Sequence, residues 1–421
     1  MNDKDASGKS TALSHGVTKK ILIFSLAYYP RFVGGAEMAI KEVTDRTNDP
    51  ELEFHMITLR FDSALPKTER AGNILIHRIG FSRPDPTIED LNTYPLRLNK
   101  HLFQLTAAWK ALSLHRAHHY DAIWAMMAHS SGIPAVIFKL LRPAVPYILT
   151  LQEGDRLEKI ERMMFPLWPL FALVFKRADV IQVISTFLGR WARRRGFTGR
   201  LEVIPNGVDV AHFSREDAVA VDDAKADIGK RIGDVLLVTT SRLVGKNGID
   251  VVIRALPLLP QNVQFVVVGI GPDELTLKRL ARTCGVEERV KFIGEVDNAA
   301  VSNYLKACDI FIRPSRSEGF GTSFVEAMAA SLPVIATQEG GIADFLFDEK
   351  RNPGVPVTGW AVDTDSPAQI AEAVKDIMSR PEKVRAVVTT AKAMVAEKYD
   401  WGIVARDMRE KVFLPLLHAR G

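Results

Sequence analysis

Cysteine is nearly absent: Cys284 and Cys308 are the only two in 421 residues, each in an apolar, helix-like context. Such scarcity argues against a disulfide framework and for a reducing compartment, so a cytoplasmic location is expected. The chain also lacks the run of about 18 apolar residues that a membrane-spanning helix needs. Its nearest approach, MMFPLWPLFALVF at 163–175, is interrupted by Pro166 and Pro169. Residues 1–20 are polar and carry no apolar core of a secretory signal, so 1–19 are expected to form a disordered tail. No H-E-x-x-H, paired C-x-x-C or G-x-S-x-G motif occurs, which sets aside zinc-protease, zinc-ribbon and serine-hydrolase chemistry.

What is present suits a soluble enzyme. The chain is too long for one ordinary core and fits two domains of roughly 200 residues. It is 47% hydrophobic and 25% charged, with a formal net charge of +5. The charge is uneven: residues 155–200 hold ten Lys or Arg against four acids. This stretch reads either as a solvated basic face or as a surface for anionic head groups or phosphorylated acceptors.

Short apolar runs alternate with amphipathic helical patterns, the signature of parallel sheets built from βαβ units. Strands are expected at 21–26, 53–59, 74–79, 122–126, 147–151 and 180–183. A second series is expected at 235–240, 264–268, 290–293, 310–313 and 333–336. The polar stretch 206–230 between them opens with the turn I-P-N-G-V-D and marks a linker. The expected architecture is therefore α/β, with two Rossmann-like doubly wound domains at 20–212 and 213–398. In such folds ligands settle at the C-terminal ends of the strands, so the cleft between the domains is the expected active site.

The loops at those ends carry the chemistry. In S-E-G-F-G-T-S-F-V-E-A-M-A a strand ending near Arg313 leads through Glu318, Gly319, Phe320 and Gly321 to a helix starting near Ser323. Free amides at that start suit an anionic group such as a diphosphate. Ser323 and Glu326 also fit S-x-x-E, so Glu326 is either a ligand group or half of a capping box. In S-R-L-V-G-K-N-G-I-D, Arg242 and Lys246 enter a loop at the same edge, either as surface cations or as holders of a diphosphate leaving group. Gly34 and Gly35 follow the first strand and open a helix. His129 lies just past a strand end and is able to donate to a substrate hydroxyl. Thr150 to Gly154 add polar groups to the same rim. Asp363-Thr364-Asp365 has a metal-site form, but it falls late in the chain and is expected to be structural and away from the cation loop.

Taken in order, these segments resemble the retaining glycosyltransferases of family 4, glycosyl transferases group 1, which have the two-domain GT-B fold. The E-x7-E element is matched by Glu318 to Glu326, and the R-L-x-x-x-K-G segment by R-L-V-G-K-N-G. V-I-P-N-G-V-D resembles the interdomain strand and turn, and Y-Y-P-R-F-V-G-G-A-E the first glycine loop. The likeness runs over 21–401. It implies that Arg242 and Lys246 hold the donor diphosphate, Glu326 the ribose hydroxyls, and Glu318 the donor sugar at the reacting centre. It also implies amide contacts from Gly319 to Thr322, closure of Gly34 and Gly35 on the donor, and a sugar contact from His129. The segment 399–421 resembles the family's last helix, which packs back on the first domain. Two departures stand out: the family's usual lysine position is Asn247 here, one residue after Lys246, and Gln152 stands where a histidine is common.

The resemblance implies a hexosyltransferase moving mannose or glucose from a UDP- or GDP-sugar to a glycan or lipid-linked acceptor, without a metal and without a bound cofactor. The basic 155–200 stretch beside 163–175 suggests contact with an anionic membrane, at the inner face of the cytoplasmic membrane, or else a core helix. No nucleic-acid partner is expected. A different class of function, a non-catalytic nucleotide-sugar-binding or scaffold subunit, keeps the same fold, as would an epimerase or phosphorylase.

Overall fold

The computed structural model describes residues 18–418 apart from 32, 48, 88 and 89. Residues 1–17 of the expected tail lie outside them, whereas Lys19 already pairs with Leu52 in the first strand. The first sheet is built from β1 (Lys19–Phe24), β2 (Leu52–Leu59), β3 (Thr68–Ala71), β4 (Ile74–Ile79), β5 (Ala122–Met126), β6 (Tyr147–Leu151), β7 (Val180–Val183) and β8 (Arg200–Val203). Its order is β3-β4-β2-β1-β5-β6-β7-β8, parallel except for the β3 edge. The second sheet comprises β9 (Val235–Thr240), β10 (Val263–Val268), β11 (Val290–Gly294), β12 (Ile310–Arg313), β13 (Val334–Ala336) and β14 (Trp360–Ala361). Its order is β11-β10-β9-β12-β13-β14, with every pair parallel.

The inner strands are continuous apolar runs because helices cover both faces of each sheet. β5 (AIWAM) and β6 (YILTL) are buried at every position. Each fully buried Ile or Leu there contributes about 1.5–3 kcal/mol relative to exposure. One polar chain crosses this core: Trp124 Nε1 donates to Thr150 Oγ1 (2.7 Å), Thr150 to Gln182 Oε1 (2.7 Å), and Gln182 Nε2 to the Ile204 carbonyl (2.5 Å). A shift of one residue between these strands would orphan all three, so the chain fixes their register.

After the second sheet the polypeptide returns to the first. Val208 N–H donates to the Tyr399 carbonyl, and Trp401 N–H to the Val208 carbonyl. Trp401, Val404, Met408 and Phe413 then join the core formed by Ile21, Phe54 and Trp124. The Phe413 ring meets Phe54 and Trp124 edge-on, with centroids 5.8 and 5.3 Å apart. Gly207 permits this return, because a Cβ there would lie 2.6 Å from the Trp401 ring. Among the described residues no helix is long and apolar enough to cross a membrane. Both cysteines are free.

Candidate active site

Strand order reverses next to β1 in the first sheet and next to β9 in the second, and such switch points leave a crevice at the carboxyl ends of the strands. The loops after β1, β5, β9 and β12 all open onto one cleft of about 1100 Å³. It is lined by Gly34, Gly35, His129, Arg242, Lys246, Glu318, Gly319, Phe320, Gly321, Thr322 and Glu326, so the fold brings together every residue singled out for it.

On the second-sheet wall, Lys246 Nζ donates to the Gly154 carbonyl (2.7 Å) and thereby spans the cleft. Asn247 is buried and turns inward, its Nδ2 donating to the Arg242 carbonyl (2.6 Å). The one-residue departure from the family spacing therefore leaves a brace at 247 and the cation at 246. Arg242 is exposed in the cleft, with no ion-pair partner among the described residues. Arg316 holds the loop from behind: it pairs with Asp250 (2.7 Å) and Asp365 (2.5 Å) and donates to the Gly245 carbonyl. This corrects the expected position of the D-x-D sequence. Asp365 sits against the cation loop through Arg316, and Asp363 pairs with Arg351 (2.8 Å), so both carboxylates are engaged with arginines.

Glu318 is held by Arg313, which the sequence presents only as the end of a strand. Arg313 is buried; its Nη2 lies 2.9 Å from Glu318 Oε2, and its Nη1 donates to Ser323 Oγ (2.6 Å). Its guanidinium also stands 4.3 Å from the centre of the Phe324 ring, a cation–π contact. With Ser323 occupied by Arg313, the helix Thr322–Ala329 has Gly321 at its N-cap and no side-chain cap, so the capping-box alternative for Glu326 is not realised. Glu326 instead faces the cleft near Arg313, and burial pushes its pKa up to about 7, with Arg313 pulling the other way.

Two glycines shape this loop. Gly321 adopts φ +93°, in the left-handed region. Gly319 packs so closely that a Cβ would lie 2.4 Å from the Glu153 carbonyl oxygen of the opposite wall. Phe320 is buried, its ring edge-on to Phe345 at 5.3 Å and tilted on Tyr399 at 5.5 Å, which anchors the loop from below.

On the first-sheet wall, Gly34 precedes the helix Gly35–Arg46, and its N–H donates to Glu37 Oε2 (2.8 Å). Burial raises the Glu37 pKa. His129 lies in the turn after β5, its Nδ1 3.6 Å from Glu153 Oε1. Glu153 is almost fully buried and accepts from the Ala128 N–H (2.6 Å), while its other oxygen and His129 Nδ1 lack hydrogen-bond partners. Gln152 and Asn206 exchange amide hydrogen bonds (3.0 and 3.2 Å), joining the rim to the interdomain turn. Arg156 and Lys159, from the basic stretch, also line the cleft.

Arg313, Arg316 and Glu37 escaped the sequence reading, which named Glu153 only as part of the polar rim 150–154. The available signal was positional, since Arg313 and Glu153 stand at or just beyond strand ends.

Two family sequence profiles match the chain. "Glycosyltransferase Family 4" covers residues 33–212 and "Glycosyl transferases group 1" covers 221–394. A GDP-mannose-dependent alpha-(1-6)-phosphatidylinositol monomannoside mannosyltransferase of Mycobacterium tuberculosis is 31% identical over 246 residues, which is 55% of this chain and 61% of that protein. An uncharacterized glycosyltransferase of Methanocaldococcus jannaschii is 25% identical over 92% of this chain and 96% of its own. Among solved structures, sucrose-phosphate synthase from Thermosynechococcus elongatus superposes with a TM-score of 0.77 at 20% identity, covering 96% of this chain and all of its own. Anabaena HepE in complex with UDP and glucose gives 0.73 at 20% identity, covering 94% and 99%. Both likenesses concern the fold, the GT-B arrangement of two parallel-sheet α/β domains.

Proposed function

Because the chain belongs to the glycosyltransferases of group 1 and family 4, we propose that it is a retaining hexosyltransferase using a UDP- or GDP-sugar donor. Mannose or glucose would be moved to a hydroxyl of a glycan or lipid-linked acceptor. The observation that carries this reading is the convergence of Arg242, Lys246, Glu318 and the start of the helix Thr322–Ala329 on one cleft.

In this reading the donor diphosphate lies between Arg242, Lys246 and the amides of Gly319 to Thr322. As the sugar–phosphate bond breaks, negative charge grows on the leaving oxygen, and these fixed positive groups stabilise it. They supply the electrostatic work that a metal ion performs elsewhere, so neither a metal nor a bound cofactor is required. Glu326 accepts from the ribose hydroxyls. Glu318, immobilised by Arg313, orients the sugar and stabilises positive charge at its anomeric carbon. His129, with Glu153 behind it, donates to a sugar hydroxyl. The acceptor hydroxyl attacks from the face the leaving group departs, and its proton passes to the leaving phosphate oxygen.

The acceptor side is supported by the relative that acts on a phosphatidylinositol mannoside and by the surface of the first domain. The helix Leu96–His118 contains no acid, and Leu98, Leu102, Leu105 and Trp109 are exposed at positions spaced three and four apart. An apolar stripe flanked by Arg97, Lys100, Lys110 and Arg116 suits an anionic membrane surface. Part of the basic stretch serves the fold instead: Arg195 stacks on Trp168 and pairs with Glu161, and Phe171, Val174 and Phe175 are core. Exposed Met163 and Phe165 leave its other part free to join the docking face. In this reading the enzyme works in the cytoplasm, at the inner face of the membrane.

A donor screen tests this. UDP- and GDP-sugars are incubated with a membrane-lipid and glycan extract, and released nucleoside diphosphate is assayed, with Glu318→Gln as control. Release from one donor that is lost in the variant supports the transferase, and an α-linked product from an α-linked donor supports retention. Tight donor binding with no release from any donor and acceptor pair would favour a binding subunit.

A further inference from the structure

A second cluster of reactive side chains lies away from the cleft. His55 stands in the middle of β2, His77 in β4, and His118 is the last residue of the helix Leu96–His118. Each offers a ring nitrogen, and the three nitrogens lie within 4.8 Å of one another. None of these residues lines the cleft. His55 and His77 are buried and His118 is half-buried. Three imidazoles converging inside a sheet-and-helix interface displace apolar packing and need a compensating interaction. His77 Nε2 has none: it is buried without a hydrogen-bond partner.

We propose that His55, His77 and His118 bind a divalent transition-metal ion of the zinc class, with the Glu53 carboxylate in the fourth position. Imidazole nitrogen with one carboxylate is a donor set such ions prefer. Glu53 Oε1 already lies 3.1 Å from His55 Nε2. The opposite nitrogen, His55 Nδ1, is 2.7 Å from the Tyr120 hydroxyl, which supplies the second hydrogen bond that orients a ligating ring. Metal–nitrogen bonds of about 2.0–2.1 Å require nitrogens roughly 3.4 Å apart, so the rings close inward by about an ångström on binding. The ion would tie the end of the helix Leu96–His118 to β2 and β4. It would stabilise the first domain without touching the donor site.

The test uses the full chain, stripped with a chelator. Zn²⁺ uptake is measured against a chromophoric competitor, and Co²⁺ binding by visible absorption. One equivalent of Zn²⁺ is expected, with an intense Co²⁺ band of tetrahedral type and a raised melting temperature. His77→Gln and, at the half-buried position, His118→Asn should each weaken binding by about 10–100-fold or more, with far-UV circular dichroism confirming the fold. Absence of stoichiometric uptake by the wild-type chain would overturn the site. So would undiminished uptake by a folded His118→Asn chain, which would place the ion elsewhere.

Discussion

Lys246 Nζ lies 2.7 Å from the carbonyl oxygen of Gly154, so a cation on the second sheet's loop is tied to the rim of the first. The carbonyl is neutral, and a donor diphosphate offers the same ammonium group a charged partner. A charge-assisted hydrogen bond is worth about 1.5–3 kcal/mol. Lys246→Met, which keeps the length and removes the charge, is therefore expected to lower kcat/KM for the donor by roughly 10–150-fold. Unchanged kinetics in steady-state assays of nucleoside diphosphate release would remove Lys246 from the phosphate site.

The buried pair Arg313–Glu318 makes a prediction about stability as well as rate. Deleting one member of such a pair leaves its partner buried and uncompensated, at about 3–5 kcal/mol. Arg313→Leu strands Glu318 and removes the donor to Ser323, and is expected to cost that much in urea unfolding. Glu318→Gln still accepts from Arg313, so it should lose less stability while turnover falls by about 10²–10³. A Glu318→Gln chain with normal turnover would place the reacting centre elsewhere.

Most of the sheet framework was legible because inner parallel strands are apolar on both faces. The runs at 122–126, 147–151, 180–183 and 310–313 coincide with β5, β6, β7 and β12. The strands that escaped lack that signal. β3 is an edge strand reading T-E-R-A, β8 carries Arg200 and Glu202, and β14 is two residues long. Glu318, Arg242 and Lys246 could be singled out because they follow strand ends beside glycines. Arg313 could not, because its burial depends on the 318–323 loop folding back over it. The contact between Asp365 and Arg316, residues 49 apart, has no sequence signature either.

The exposed stripe on the helix Leu96–His118 predicts a lipid dependence. Trp109 is 72% exposed and Phe165 75%. In sedimentation with vesicles containing anionic lipid, the wild-type chain is expected to bind, and Trp109→Ser with Leu105→Ser to bind at least tenfold more weakly, since each buried large side chain is worth about 1.5–3 kcal/mol. Binding should also fall with salt. Equal binding to neutral vesicles would argue against the cationic flank as a determinant.

At Gly319 the backbones of the two walls come close together. An added Cβ would sit 2.4 Å from the Glu153 carbonyl oxygen and 3.1 Å from its carbon, both backbone atoms that no rotamer change can move. Gly319→Ala is therefore expected to hold the cleft open. Turnover should drop by at least about tenfold, from misplacing Glu318 relative to groups on the other wall, and small-angle scattering should report a larger radius of gyration. A compact, fully active Gly319→Ala chain would show that this approach is not needed for turnover.

Glu326 couples stability to donor binding in opposite directions. Its pKa rises from 4.5 to about 7 through burial, so between these values the folded chain holds a proton that the unfolded chain has released. Folding is then linked to proton uptake, and the contribution of this group to stability falls as pH rises through that window. Glu326→Gln cannot ionise. It should match the wild type in melting temperature at pH 5 and exceed it at pH 8. In the proposed donor complex the ionised carboxylate is the form that accepts two ribose hydroxyls. Wild-type affinity for a nucleotide sugar, whose own charge is constant over this range, should therefore improve about tenfold from pH 6 to pH 8, while Glu326→Gln binds weakly and without pH dependence. Parallel profiles for the two chains would mean that Glu326 does not meet the ribose as a carboxylate.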